Sequence, residues 1–196
     1  MIEVTNRIRR DFRELQILYR NHGAQLQSVN ILGLRDESNM HKDIYNDFII
    51  AFDSKEAYMF NATTDPSVYY TQNPMDGVGC AHLCYGYYRN AYMIGIHAKG
   101  KPYQHEALVQ RGNKVKIWRD VNKNFIHDVT EQIEEGYFGI NIHKNLSTLN
   151  LIQYSSAGCQ VIQYANDFEY FINFVKLHAQ KFYSYLLCNI REVDFV

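Results

Sequence analysis

The stretch YFGINIHKNLSTLNLIQYSSAGCQVIQY, residues 137–164, decides how this chain is read. It contains two short apolar runs, YFGINIH (137–143) and CQVIQY (159–164), joined by the loop-like KNLSTLNLIQYSSAG. Runs of β-branched and aromatic residues bounded by Gly, Asn and Ser favour extended backbone, so each run is expected to be a strand. The first run ends on His143 and the second opens on Cys159. If the two strands are neighbours, the connecting loop brings an imidazole and a thiol side by side.

Working outward, the same kind of run recurs: SVNILGL, DFIIAF, AYMFNA, AYMIGIH, EALVQ and KVKIW, separated by the turn signals NPMDG, KGKP and QRGN. The last run, FYSYLLCNI, alternates like a strand, with Cys188 as a small core residue. Two segments have helical period instead. Residues 5–22 place Ile8, Phe12, Leu15 and Leu18 on one face, with Thr5 as a cap and Gly23 as a stop. A second helix is expected from Asn166, where Asn166 and Glu169 have the spacing of a capping box and Phe168, Phe171, Ile172 and Val175 form an apolar stripe. The expected fold is therefore α+β and mainly β, with residues 1–26 as a helical extension and 27–196 as the main domain.

Composition narrows the function classes. A chain of 196 residues that is 46% hydrophobic can bury a core. A formal net charge of -1 argues against a broad basic face for nucleic acid. No apolar run approaches the ~20 residues of a membrane-spanning helix. The start, MIEVTNRIRRDFRELQ, lacks the apolar core of a signal peptide, so synthesis in a cytoplasm is expected, with action elsewhere requiring release or delivery. The four cysteines have no framework spacing, and reduced thiols are the expectation.

A thiol attacks a carbonyl as thiolate, and a nearby histidine can take its proton and return it to a leaving amine. Cys159 is thus a candidate nucleophile and His143 its candidate base. Gly158, lacking a side chain, lets a carbonyl approach the backbone, where N–H groups around Cys159 can hold a developing oxyanion. His97, at the end of AYMIGIH, repeats the arrangement of His143: an apolar strand ending in histidine. If the two strand ends share a rim, His97 lines the same cleft.

With fifteen residues between His143 and Cys159, and Ser156-Ala157-Gly158-Cys159 in the tetrapeptide position, the stretch resembles the signature of L,D-transpeptidase (YkuD-like) catalytic domains. That signature is a histidine, fourteen to seventeen residues, then Ser/Thr-His-Gly-Cys. The resemblance implies Cys159 as the acyl-accepting nucleophile, His143 as base, Lys144 as the residue orienting that base through its carbonyl, and Gly158 with the Cys159 amide at the oxyanion. Ser156, Lys144 and His97 would contact substrate. Ala157 stands where the family has a second histidine, and Gln160 where it has Arg or Asn. The implied fold is a β-sandwich-like sheet, and the implied chemistry is thioester formation on peptidoglycan stem peptides, with no metal or other cofactor. Over about residues 45–190 the order of phrases is also similar to proteins of bacteria and their phages, which makes virion components possible partners. A non-enzymatic virion or wall-binding protein on the same scaffold is the alternative.

Three other groupings carry candidate ligand or turn residues. Cys80, His82 and Cys84 in CAHLC have alternating spacing, more consistent with core cysteines beside a surface histidine than with zinc. Asp120, Asn122, Asn124, Asp128 and Glu131 fall at calcium-loop positions, but Phe125 occupies the place of the loop glycine, and a polar hairpin is the expectation. Thr63, Thr64 and Asp65 before Pro66 read as a turn.

Overall fold

The computed structural model describes residues 7–128, 130–147 and 150–194, with side chains from Arg13 onward. Strands are β1 (Asn30–Arg35), β2 (Asp47–Phe52), β3 (Ala57–Thr63), β4 (Cys80–Leu83), β5 (Gly86–His97), β6 (His105–Gln110), β7 (Val115–Asp120), β8 (Ile133–Gly136), β9 (Ile142–Lys144), β10 (Gln160–Ile162) and β11 (Tyr183–Asn189). Helices are α1 (Arg7–Asn21), α2 (Val68–Gln72) and α3 (Ala165–Leu177). The chain is a mainly-β α+β protein, and none of its described helices is long and apolar enough to cross a membrane.

The sheet closes on itself. Its order is β1-β11-β5-β6-β9-β10-β3-β2, with β2 returning to β1, and β4-β7-β8 form a separate three-stranded sheet. The mainly-β sheet domain that was expected is present, and its large sheet closes into a barrel: β1 is bonded on both sides, parallel to β11 and antiparallel to β2, so no edge of that sheet is left open. Alternation along β1, β2 and β11 explains the burial. Ile31, Ile49 and Tyr185 join a core that gathers side chains from all eight barrel strands and from α3. Leu32, Ile50 and Leu186 face the other way, into a second core with Leu15, Leu18 and Tyr19 of α1. Tyr19 also donates a hydrogen bond to the Ile31 carbonyl at 2.9 Å, tying α1 to β1. The expected cap Thr5 lies outside the described residues, as do the side chains of Ile8 and Phe12.

Two local expectations change, and one short helix is added. α3 starts at Ala165 with Tyr164 as N-cap and no side-chain capping bond, so Asn166 lies within the first turn. The cause is the sheet: Gln163 N–H still bonds to the Asn61 carbonyl, and the chain turns into helix immediately afterwards. The apolar stripe Phe168, Phe171, Ile172 and Val175 is buried as the period required. Of the run at 137–143 only Ile142 and His143 fall in a strand, β9, because Gln110 captures the Phe138 and Gly139 N–H groups with its side chain. α2, capped by Ser67, follows directly on the turn at Thr63–Asp65.

Candidate functional site

β9 and β10 lie side by side and parallel, with Ile142 opposite Gln160 and His143 opposite Val161. This register sets Cys159, one residue before β10, beside the end of β9. β5 and β6 bring in His97 opposite His105. The ring of His97 stacks on that of His143, with centroids 3.8 Å apart and planes 17° apart. One side-chain atom from each of His97, His143 and Cys159 lies within 4.8 Å of the others. All three line a groove of about 690 Å³, along with Tyr70, Tyr103, Phe138, Tyr154 and Ala157.

His143 is fully buried. Its Nδ1 lies 2.8 Å from the Lys144 carbonyl, which can only accept, so Nδ1 carries the proton and Nε2 has the lone pair. That Nε2 is buried with no partner among the described residues. An uncompensated buried nitrogen is costly and calls for a functional explanation. Burial pushes the His143 pKa well down, with His97 adding to the effect and the Lys144 carbonyl opposing it.

The Cys159 thiol donates to the Gly139 carbonyl at 3.6 Å and accepts the Asn141 N–H at 3.4 Å. Burial pushes its pKa up to about 11, partly offset by that N–H. The resting pair is therefore a neutral thiol and a neutral imidazole, not a preformed ion pair.

Gly158 is required by its surroundings. Its φ is +125°, and a Cβ there would come 2.5 Å from the Ala81 carbonyl oxygen of β4. Its N–H donates to Ser156 Oγ at 3.2 Å, so it is not available to an oxyanion. No described hydrogen bond takes the Cys159 N–H. Ser156 is fully buried, with its hydroxyl 2.9 Å from the Asp65 carbonyl and 2.8 Å from the Cys159 carbonyl. It braces the turn from within and is not among the residues that line the groove. Lys144 meets His143 through its carbonyl, and its side chain is not part of the groove lining.

Residues given no role by their sequence context hold this assembly. Gln160 is fully buried; its amide donates to the Thr64 and Gly158 carbonyls and its oxygen accepts from Tyr185 at 2.9 Å. Tyr185 fits because position 33 on β1 is glycine; a Cβ there would overlap its hydroxyl. Gln110 accepts from the Gly139 N–H and so fixes the segment whose carbonyl receives the thiol. Asn141 bonds with both His97 and Cys159. Its only sequence signal was its place two residues before His143, on the same face of an extended run.

The other groupings resolve differently. His82 is fully buried, not at the surface, with Nδ1 3.0 Å from Asp65 Oδ1 and its ring stacked on Trp118. Cys80 points to the Ala157 carbonyl, so Cys80, His82 and Cys84 do not converge. Asp65 also pairs with buried Arg35 at 3.0 Å. In the β7–β8 loop the candidate calcium ligands bond to the loop itself: Asp120 accepts the Asn124 and Phe125 N–H groups, and Glu131 accepts those of Val121 and Asp128. Phe125 takes φ +67°, the conformation for which a glycine was expected. His97, His143 and Cys159 are close enough to suggest a metal, but two nearly parallel stacked rings direct their in-plane lone pairs alongside each other and not to one point.

No family model, no curated protein and no solved structure matches this chain.

Proposed function

We propose that this protein is a cysteine acyl-transfer enzyme of L,D-transpeptidase (YkuD-like) type, acting on peptidoglycan stem peptides. One observation carries the reading: a buried histidine, anchored through Nδ1 to the next carbonyl, holds an unpartnered Nε2 near a thiol that opens on a groove. In this reading His143 Nε2 takes the Cys159 proton as sulfur attacks the scissile carbonyl. The oxyanion is met by the Cys159 N–H and by His97. Collapse breaks the C–N bond, His143 returns the proton to the departing amine, and a thioester remains on Cys159. An amine resolves it to a cross-link and water resolves it to cleavage. Delivery to the wall from a virion would favour cleavage.

A second reading, a virion or wall-binding scaffold without chemistry, is favoured by the raised thiol pKa and by a resting thiol bonded to Gly139 instead of His143. Incubation with purified sacculi and mass spectrometry of the released muropeptides separates the two. Products formed by wild type and absent with Cys159→Ala support the enzyme. Sacculus binding that is unchanged in Cys159→Ala, with no products from either protein, supports the scaffold.

A further inference from the structure

We infer that Asn141 is a positioning residue that locks His97 as the Nε2–H tautomer, making it a hydrogen-bond donor to the substrate carbonyl oxygen in place of the histidine missing at Ala157. The inference rests on the acyl-transfer reading of the same site.

The lock follows from one unambiguous donor. The backbone N–H of Gln110 points at Asn141 Oδ1, 2.9 Å away. A backbone N–H can only donate, so the amide oxygen must face Gln110 and the amide NH₂ must face the other way. There it meets His97 Nδ1 at 3.0 Å. An NH₂ can only donate, so His97 Nδ1 is the acceptor and the ring's proton sits on Nε2. Burial, and then the neighbouring His105, push the His97 pKa down to about 4, so the ring stays neutral at ordinary pH and this tautomer is well defined. The backbone of Asn141 serves the same site: its N–H reaches the Cys159 sulfur at 3.4 Å and its carbonyl accepts the Gln160 N–H at 2.9 Å. One residue thus sets the donor, the nucleophile and the strand behind the nucleophile.

The chemistry requires such a donor. The Gly158 N–H is engaged by Ser156, which leaves the Cys159 N–H as the backbone donor at this turn for the oxyanion. His97 lines the groove beside Cys159, and its Nε2–H is a second donor only while Nδ1 is held unprotonated.

The test is the tautomer of His97 by ¹⁵N NMR on histidine-labelled protein, together with acyl-transfer kinetics. Wild type should show protonated Nε2 and bare Nδ1. Asn141→Asp replaces the NH₂ with an acceptor, so at a pH where the ring is neutral the His97 proton should move to Nδ1 and leave Nε2 bare. Its kcat should fall about 100-fold, as for loss of one oxyanion donor, with KM within a few-fold. In a His97→Ala background Asn141→Asp should cost little more, because it acts through His97. A wild-type His97 protonated on Nδ1 overturns the lock without any variant needing to fold. So does an Asn141→Asp protein that folds and keeps the Nε2–H form. The expected tautomers combined with no Cys159-dependent product from sacculi would overturn the acyl-transfer reading and leave the lock standing.

Discussion

His143 and His82 are two fully buried histidines built to the same local plan. Each has Nδ1 engaged at about hydrogen-bond distance and Nε2 without a partner among the described residues. They differ in what surrounds that plan. His82 bonds to a carboxylate that Arg35 also grips, and Trp118 covers its ring at 4.0 Å. Burial alone would push Asp65 up, but Arg35 and His82 hold it below the usual carboxylate range. His143 bonds to a neutral carbonyl, its ring is covered by a second imidazole, and a thiol and a groove lie beyond it. The first histidine joins a buried charge network; in the proposed reading the second is the base that takes the Cys159 proton. The two are told apart by the neighbours of the ring and not by its own burial.

The largest expected effect breaks the comparison if it fails. His143→Gln should lower muropeptide formation by about 10²- to 10⁴-fold, the usual worth of a general base. His82→Gln should leave the rate of the folded protein within about threefold of wild type, since His82 is outside the groove lining. Equal losses in both variants would mean that His143, too, is only scaffold.

The second effect falls on the other histidine's network. Asp65→Ala removes the carboxylate that Arg35 pairs with directly, leaving Asp47 as the remaining nearby acid, and breaking a buried pair this way costs about 3–5 kcal/mol. Urea denaturation should show that loss. It should also loosen the nucleophile turn, because the Asp65 carbonyl faces Ser156 Oγ, and the Ser67 N–H donates to the Ser156 carbonyl. A variant as stable as wild type would remove the network from the account of the site.

Gly158→Ala should come next, at about 1–3 kcal/mol for a side chain forced into a φ of +125°, with the Ala81 carbonyl blocking relief. Iodoacetamide labelling of Cys159 should change along with stability, since the same turn positions the sulfur. Unchanged denaturation midpoints would show that the turn relaxes freely.

Much of this was legible in sequence because it is local. The strand runs, the α3 stripe and the approach of His143 to Cys159 follow from residue type, spacing and the short connection between two strands. Barrel closure was not legible, because β1 and β11 stand at opposite ends of the chain and nothing in either run encodes a parallel partner. The supporting residues were hidden for a similar reason. Gln110, Asn141 and Gln160 are ordinary amides until long-range pairing surrounds them with specific donors and acceptors. His82 read as a surface residue because its burial depends on Asp65 and Trp118, both distant in sequence.

The smallest effect tests the electrostatics of the His143 region directly. Burial lowers the pKa of His143, of His105 and of His97, the last to about 4. In the unfolded chain these rings titrate near ~6.5. Between about pH 6.5 and 4 the unfolded state therefore binds more protons at these positions, and the stability they contribute is present above that window and lost as pH falls through it. Asp47 acts in the opposite direction, since burial and the Asp65 charge push it up to about 7, so that it favours the folded state as pH falls. A wild-type curve mixes the two. The difference between wild type and His97→Gln separates them: the variant should gain stability relative to wild type as pH drops from 6.5 to 4.5, measured by urea midpoints at each pH. Parallel curves would show that His97 titrates alike folded and unfolded, and that the imidazole stack beside Cys159 is wetter than its geometry implies.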